Sequence, residues 1–537
     1  MAMPLCLRGY FSSGVGNAGV VGFVKHSLSK LRLHAQRVFE SSLPSAHSAH
    51  SAHPAMPSST VSRRRFLSQT AGFAAAAAFG PNLLLRGANA ASNRLNIAVI
   101  GALGKGEVDT GKVALDHNIV ALVDIDSQRL EKAGQSWAKK FTAAGQSVPQ
   151  APKTYADFRK MFDEMSKSID AVIVSTPDHT HYVAAMWALK HGKPVCVQKP
   201  LCNTIWEIRD LHRAAKEAGV MTQMGNQGRT MEGQRFAKEW IDQGAIGTLK
   251  EIRLWTNRPL WPQGPLTKTH PERPANVDWD LWLSSETEEP YFGFEWPTDS
   301  KIKLSHGSSV HPWNWRGWWQ FGSGALGDMG CHIMDASFSI LGQQIPVKID
   351  VESSPVTELN APMWTRLKYH FAATDKHPAL TVSWHDGSLE DGEVNKPERD
   401  PRVPEAVFNK ASSGMMFIGT DGVVFEPDAY CANPVIFPEE RFADVKREME
   451  EGKIKKTEPR SPTPDNPQGE WALCITNGGT PGSNFDYSAP LAEFVSLGNL
   501  AIRSGKAVEW DAKAMKVTNI EAANRFVKRP AYRSGWV

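Results

Sequence analysis

The sequence predicts a two-part α/β chain, in which a parallel, doubly wound sheet precedes an α+β half built on a large, mostly antiparallel open sheet. Three observations carry this. The run LNIAVIG at 95–101 is apolar, β-branched and ends in glycine, as a strand buried on both faces does. Two runs of the same kind follow, NIVALVDID ending past Asp124 and DAVIVST ending at Thr176, with room for a helix between them. Later in the chain the strand-like runs lie between turn residues, at 249–256, 346–352, 366–373, 379–384 and 415–425. The expected division is a low-complexity segment 1–60, an export signal 61–90, the first domain 91–222 and the second 223–537.

The totals set bounds. A chain of 537 residues has room for two or more domains, and 41% apolar with 22% charged residues is ordinary for a water-soluble globular protein. A formal charge of +3 gives no argument for nucleic acid. Six cysteines, none in a CxxC pair, argue against a disulfide framework and against a zinc site, and no metal is expected.

Residues 1–60 are Ser/Ala/His-rich, with SAHSAHSAH at 45–53. A metal-binding His tract is the sharp reading. An extension with no packed core, or translation starting at Met56, is the plain one. Ser62-Arg63-Arg64-Arg65-Phe66-Leu67 then has the pattern of a twin-arginine signal, with an Ala-rich apolar run from Ala71 to Phe79 and Ala88-Asn89-Ala90 as a cleavage site. That run is too short for a permanent membrane anchor. The expected product begins near Ala91, is exported or periplasmic, and has the twin-arginine machinery as a transient partner.

The stretch GALGKGEVDTGKVALDH following the first strand supplies a glycine-rich turn and a helix start, the dinucleotide-binding (Rossmann) arrangement. Gly101, Gly104 and Gly106 let the backbone approach a pyrophosphate, whose charge suits a helix N-terminus. Leu103 stands where another close-packed glycine is expected. Asp124, about twenty residues on, is placed to accept from a ribose 2′-OH and to repel a 2′-phosphate, so NAD is expected over NADP. Asp124 could instead cap the next helix, and Asp126 competes for the same job.

The third strand opens into Thr176-Pro177-Asp178-His179-Thr180-His181, and a fourth ends in Gln198-Lys199-Pro200. Loops at the carboxyl ends of parallel strands are where an open α/β sheet binds its ligand. Thr176, Pro177, His179, His181 and Lys199 are therefore expected at the cofactor. Lys199 is also placed to polarise a substrate oxygen.

With these motifs in order, the chain resembles the Gfo/Idh/MocA family of nicotinamide-dependent oxidoreductases from about residue 94 onward. It is most similar to exported members carrying MGNQGR, NRPLWPQG and WDLWL, found at 224, 257 and 279. Gln198 replaces the commoner glutamate before the lysine. The resemblance implies that Lys199, Asp328 and His332 form the catalytic set, that the open sheet serves a homo-oligomer, and that the substrate is a sugar or polyol.

The residues support that reading independently. GSGALGDMGCHIMDASFSIL at 322–341 puts Asp328, His332 and Asp335 at i, i+4 and i+7 on one helix face. Alcohol oxidation needs a base for the hydroxyl proton, and histidine titrates in the useful range. Asp335 could serve packing or a cap. Nine of the eighteen tryptophans lie between Trp255 and Trp319, including HPWNWRGWW at 311. They suit either sugar stacking or core packing, with His311 and Arg316 as hydroxyl partners. Segments 385–413 and 450–485 read as long loops.

Three functions follow: an NAD-dependent oxidoreductase of a sugar, polyol or cyclic alcohol; an NAD-dependent glycoside-cleaving enzyme working by transient oxidation, elimination and re-reduction; and an inactive ligand-binding homologue. Export favours a tightly held cofactor, because little free NAD exists outside the cytoplasm.

Overall fold

A computed structural model describes residues 93–536 apart from 299, 301 and 390. The readings made above for the low-complexity segment and the export signal lie outside the described residues.

The first sheet contains β1 (Asn96–Ile100), β2 (Asn118–Val123), β3 (Lys153–Tyr155), β4 (Ala171–Val174), β5 (Val195–Val197) and β6 (Thr222–Met224). All neighbours are parallel, in the spatial order β3-β2-β1-β4-β5-β6. The chain moves outward from β1 on one side and then restarts at β4 on the other. The loops after β1 and β4 therefore part, leaving a crevice at their carboxyl ends. The apolar runs have the double burial that a parallel sheet requires. Ile97 and Val99 enter one core with Trp137 and Phe141, whereas Ala98 and Ile100 enter the opposite one with Phe162 and Tyr182.

The second half begins with β7 (Leu249–Thr256), and a two-stranded ladder follows, β8 (Lys268–Thr269) with β9 (Gly293–Phe294). The other strands are β10 (Lys348–Ser353), β11 (Trp364–Phe371), β12 (Leu380–Gly387), β13 (Ser413–Gly419), β14 (Val423–Glu426), β15 (Val435–Phe437), β16 (Val508–Asp511) and β17 (Lys516–Val517). They join β7 in a nine-stranded sheet ordered β15-β14-β13-β7-β12-β11-β10-β16-β17. Every pair is antiparallel except β7 with β12. The fold is thus a Rossmann domain followed by an α/β domain on a mixed, mostly antiparallel sheet.

Several local features differ from the sequence reading, among them a short helix, Glu405–Lys410, inside the expected loop 385–413. The run 415–425 is a hairpin, because Gly419 N–H bonds to Gly422 C=O at 2.9 Å and folds the chain at Thr420-Asp421. Within 450–485 lies a helix, Pro467–Asn477, started by the Asn466 side chain accepting from Gly469 N–H at 2.8 Å, with proline at its first position.

The helix Gly324–Ile340 is buried on nearly every side, as expected for one packed between layers rather than on a surface. Its small residues serve that packing. A Cβ at Gly330 would stand 2.7 Å from Val495 Cγ1 of the neighbouring helix Phe485–Ser504. Among the described residues no helix is long and apolar enough to cross a membrane.

Candidate active site

A cavity of about 470 Å³ opens at the carboxyl ends of β1, β4 and β5 and is closed on its far side by the helix Gly324–Ile340. Its first wall is the glycine turn. Gly101 sits at φ +83°, and a Cβ there would come 2.7 Å from the Ser175 carbonyl carbon. A Cβ at Gly106 would lie 1.7 Å from Gly101 O, so the helix Lys105–Val113 packs directly on the strand end. Gly104 precedes that helix without a side-chain cap. Among the described residues its first N–H groups have no side-chain acceptor, and beside the cavity they form the donor set an anionic diphosphate needs. Leu103 lines the same wall. Gly106→Val is expected to yield protein that neither folds to wild-type stability nor retains nucleotide, read by thermal melting and by nucleotide content. Normal binding in that variant would rule out the flush packing.

The two competing carboxylates separate cleanly. Asp124 lines the cavity and accepts from the N–H groups of Ala102 and Asp126, each at 3.2 Å. Burial pushes its pKa up, against the pull of Arg129. Asp126 is the helix cap, accepting from Gln128 and Arg129 N–H at 3.0 and 3.1 Å, and it also binds His311 Nε2 at 3.0 Å and Asn276 at 2.8 Å. Burial opposes its ionisation, but the bonds from His311 and Asn276 prevail and hold it at about 2.

The segment after β4, expected as a loop through His181, enters the helix Asp178–Lys190 early and divides its residues. Thr176 and Pro177 lie on the cavity wall, and Thr176 Oγ1 has no partner among the described residues. His179 and His181 do not line the cavity. His179 donates from Nε2 to Trp282 C=O at 2.7 Å. The His181 ring lies between the carbonyls of Thr176 and Pro200, at 2.9 and 2.8 Å, donating to one of them in its neutral form. Burial lowers these imidazoles to about 3 and about 4 respectively, so both are neutral supports rather than charged contacts. His181 thereby ties the start of the helix Asp178–Lys190 to the peptide that follows Lys199.

Lys199 and Asp328 meet. Lys199 Nζ donates to Asp328 Oδ1 at 2.9 Å and to the Asp328 carbonyl at 2.6 Å. Burial would raise the Asp328 pKa, but Lys199 and Arg316, the latter at 3.4 Å, hold it well below the usual carboxylate range. His332 stands one turn further on the same helix, edge-on to Tyr430 with ring centroids 5.0 Å apart. Its buried Nδ1 has no hydrogen-bond partner among the described residues. Burial, then the Lys199 charge, keep its pKa well below 6.5. Asp335 faces away from the cavity, into a buried polar cluster with Asn226, Gln234 and Tyr487.

Gln198 has a physical reason to be an amide. Its Nε2 donates at 2.8 Å to Asp109, a fully buried carboxylate that also collects Ser175 Oγ at 2.7 Å and Gln468 Nε2 at 2.9 Å. Glutamate at 198 would set a second carboxylate against the buried Asp109 in place of a donor. Gln198→Glu is therefore expected to cost about 3 kcal/mol, and Gln198→Glu with Asp109→Asn to recover most of it, in urea melts of the two variants.

Asp178, on the cavity wall, accepts from Ser323 Oγ at 2.5 Å; burial, only partly offset by that bond, lifts its pKa to about 7. Turnover is expected to change slope near pH 7 as Asp178 loses its proton beside Lys199, and Asp178→Asn to remove that change. A slope change that persists in the variant belongs to another group.

Sequence reasoning did not single out Tyr430, Arg258, Gln227 or Trp536, all of which line this cavity. Gln227 and Arg258 lie within the quoted MGNQGR and NRPLWPQG stretches, but nothing in spacing marks Tyr430 or the C-terminal Trp536. Of the tryptophans, Trp279 and Trp318 pack in a core of their own, whereas Trp282, Trp313 and Trp315 reach the cavity.

Residues 95–226 match a family model described as oxidoreductase family, NAD-binding Rossmann fold, and residues 258–377 match the one for that family's C-terminal alpha/beta domain. Among curated relatives, levoglucosan dehydrogenase of Pseudarthrobacter phenanthrenivorans is 23% identical over 188 residues, which is 35% of this chain and 36% of that protein. Inositol 2-dehydrogenase of Rubrobacter xylanophilus is 27% identical over 169 residues, 30% of this chain and 44% of that one. The matches therefore span less than half the length of these relatives. Among solved structures, the WlbA dehydrogenase of Chromobacterium violaceum with NADH and UDP-GlcNAcA superposes with a TM-score of 0.51 at 13% identity, covering 79% of this chain and 97% of that one. A levoglucosan dehydrogenase complex with NADH and levoglucosan gives 0.50 at 16%, covering 78% and 99%. At such identities these likenesses speak for the fold. Through its two matched segments, the chain belongs to the Gfo/Idh/MocA oxidoreductase family, with an NAD-binding Rossmann domain followed by an α/β domain.

Proposed function

We propose that the protein is an NAD-dependent oxidoreductase acting on a sugar, polyol or related cyclic alcohol. The observation that carries this is the Lys199–Asp328 contact, with His332 on the same wall, in the cavity that starts at the Rossmann glycine turn. The chain's own groups fit the cofactor: an uncapped helix start, a turn that admits no Cβ at Gly101, and an Asp124 carboxylate at the end of β2. When bound, NAD supplies the hydride acceptor.

The remaining chemistry belongs to the side chains. Lys199 donates to the substrate oxygen and stabilises negative charge developing on it. His332, neutral and on the cavity wall, takes the hydroxyl proton on its imidazole. Asp328 orients the Lys199 ammonium and eases the imidazolium formed on His332. We also read residues 61–90 as a twin-arginine export signal and the nine-stranded sheet as the face of a homo-oligomer. A protein exported with its cofactor must hold it tightly, and Trp536 folding back onto the cavity suits that.

The test is to purify the chain from Ala91 without added nucleotide, denature it and identify what is released by mass spectrometry. Near-stoichiometric NAD or NADH is expected. Protein that neither carries nor binds the nucleotide would sink the proposal.

A further inference from the structure

The walls around Lys199 carry more positive charge than a neutral sugar needs. Lys199 and Arg316 share one carboxylate, Asp328. Arg258 lines the same cavity, and its charge acts on both His332 and Tyr430. It meets no carboxylate among the described residues; its side chain donates only to the neighbouring Asn257 Oδ1, at 2.9 Å. The other cavity cations are already engaged. Lys105 is paired with Asp109, and Arg129 donates to the Leu103 carbonyl at 3.1 Å. Asp178, lifted by burial to about 7, is only partly ionised at neutral pH and so supplies part of a counter-charge.

Arg316 is held in place for recognition rather than left to wander. Its guanidinium lies 4.0 Å from the Trp313 ring centroid and 4.4 Å from that of Trp315, and it donates to the Trp313 carbonyl at 3.0 Å. A guanidinium fixed by aromatic faces keeps its remaining N–H groups aimed, which is the arrangement that binds planar or tetrahedral oxyanions. Three cations against one firmly ionised carboxylate and one partly ionised one leave the wall short of counter-charge. Half-buried cations without one are costly, and a substrate that brings an anion relieves that cost.

We propose that the substrate is an anionic sugar or polyol derivative, carrying a carboxylate or a sulfate or phosphate ester, whose anion is bound by Arg258 with Arg316 while the reacting hydroxyl lies at Lys199. This rests on the oxidoreductase reading above and narrows its substrate class.

The test uses the NAD-loaded full chain and intrinsic tryptophan fluorescence, titrated with glucuronate, glucose 6-sulfate, glucose 6-phosphate and glucose. At least one anionic probe is expected to bind about tenfold or more tighter than glucose. Arg258→Gln is expected to lose about 10- to 100-fold of that affinity while retaining NAD, and Arg258→Lys, which keeps the charge but not the fork, to fall between. Which of the three anions binds best separates carboxylate from ester. Equal or better binding of glucose overturns the proposal, as does failure of every anionic probe to saturate. Loss of NAD rather than of the anion in Arg258→Gln also overturns it, since the guanidinium would then serve the nucleotide. Reduction of bound nucleotide is followed separately by absorbance, so neutral sugars that drive it as well as acids do would leave the oxidoreductase reading standing and remove only this one.

Discussion

Lys199→Met is expected to lower turnover by about 10²- to 10⁴-fold, with the fold and the nucleotide retained. The lysine donates at 2.9 Å to Asp328 Oδ1 and at 2.6 Å to its carbonyl, so it bridges the end of β5 and the helix Gly324–Ile340 inside the cavity. Methionine keeps the length and removes the charge. Asp328 then retains Arg316 at 3.4 Å, which keeps a cation beside it and makes unfolding an unneeded explanation for lost activity. Lys199→Arg should not rescue, because a planar fork cannot present the same single point charge to an alkoxide. The charge of Lys199 also helps to depress His332. Removing it raises the His332 pKa part of the way back toward 6.5, so the acid limb of the residual rate moves to higher pH. Single-turnover reduction of the bound nucleotide across pH reads both effects. A rate near that of the unmodified protein would remove Lys199 from the chemistry.

The elements that carried the fold in the sequence were those whose pattern answers one question only. LNIAVIG and DAVIV could be nothing but strands buried on both faces, and the glycine turn between strand and helix left little choice of domain. The hairpin at 413–426 was marked by its Asp-Gly pair, but two apolar strands separated by a two-residue turn read like a single run. The helix Pro467–Asn477 was hidden by composition: Pro, Gly and Asn at its ends dominated the window, although they are its own start and stop signals. Its placement depends on Gln468 reaching Asp109, a contact between residues far apart in sequence. The site shows the same division. Lys199, Asp328 and His332 were legible from spacing and resemblance, whereas His179 and His181, chemically just as suggestive, turn to backbone carbonyls because the first turn of the helix Asp178–Lys190, where they sit, is buried. Tyr430 and Arg258 reach the cavity only through the sheet of the second half, which no local pattern reports.

Asp335→Ala is expected to destabilise the protein by about 3–5 kcal/mol, and to leave the rate per folded molecule within a few-fold. In sequence Asp335 shares a helical face with Asp328 and His332, which makes a part in the chemistry its natural alternative. Its surroundings are otherwise. The carboxylate is fully buried and accepts from Tyr487 Oη at 2.5 Å, Asn226 Nδ2 at 2.8 Å and Gln234 Nε2 at 3.3 Å. Tyr487 lies on the helix Phe485–Ser504, and Asn226 just after β6, so one carboxylate joins the second half's two central helices to the edge of the first sheet. Burial raises its pKa, with Arg229 pulling the other way; that guanidinium sits 4.0 Å from the Tyr487 ring centroid. Alanine takes the carboxylate from three buried donors: Asn226 Nδ2 loses its acceptor, while Gln234 Nε2 keeps only the Tyr430 carbonyl at 3.4 Å and Tyr487 Oη only the residue 335 carbonyl at 3.3 Å, and an orphaned donor costs about 1–3 kcal/mol before any relaxation. Asparagine restores one acceptor but brings its own N–H groups against other donors, so Asp335→Asn should fall between alanine and the parent. Urea melts of the three proteins, with activity normalised to the folded fraction, separate the two roles. A large fall in rate at unchanged stability would move Asp335 from the scaffold into the reaction, and the cluster around it would then need a different explanation.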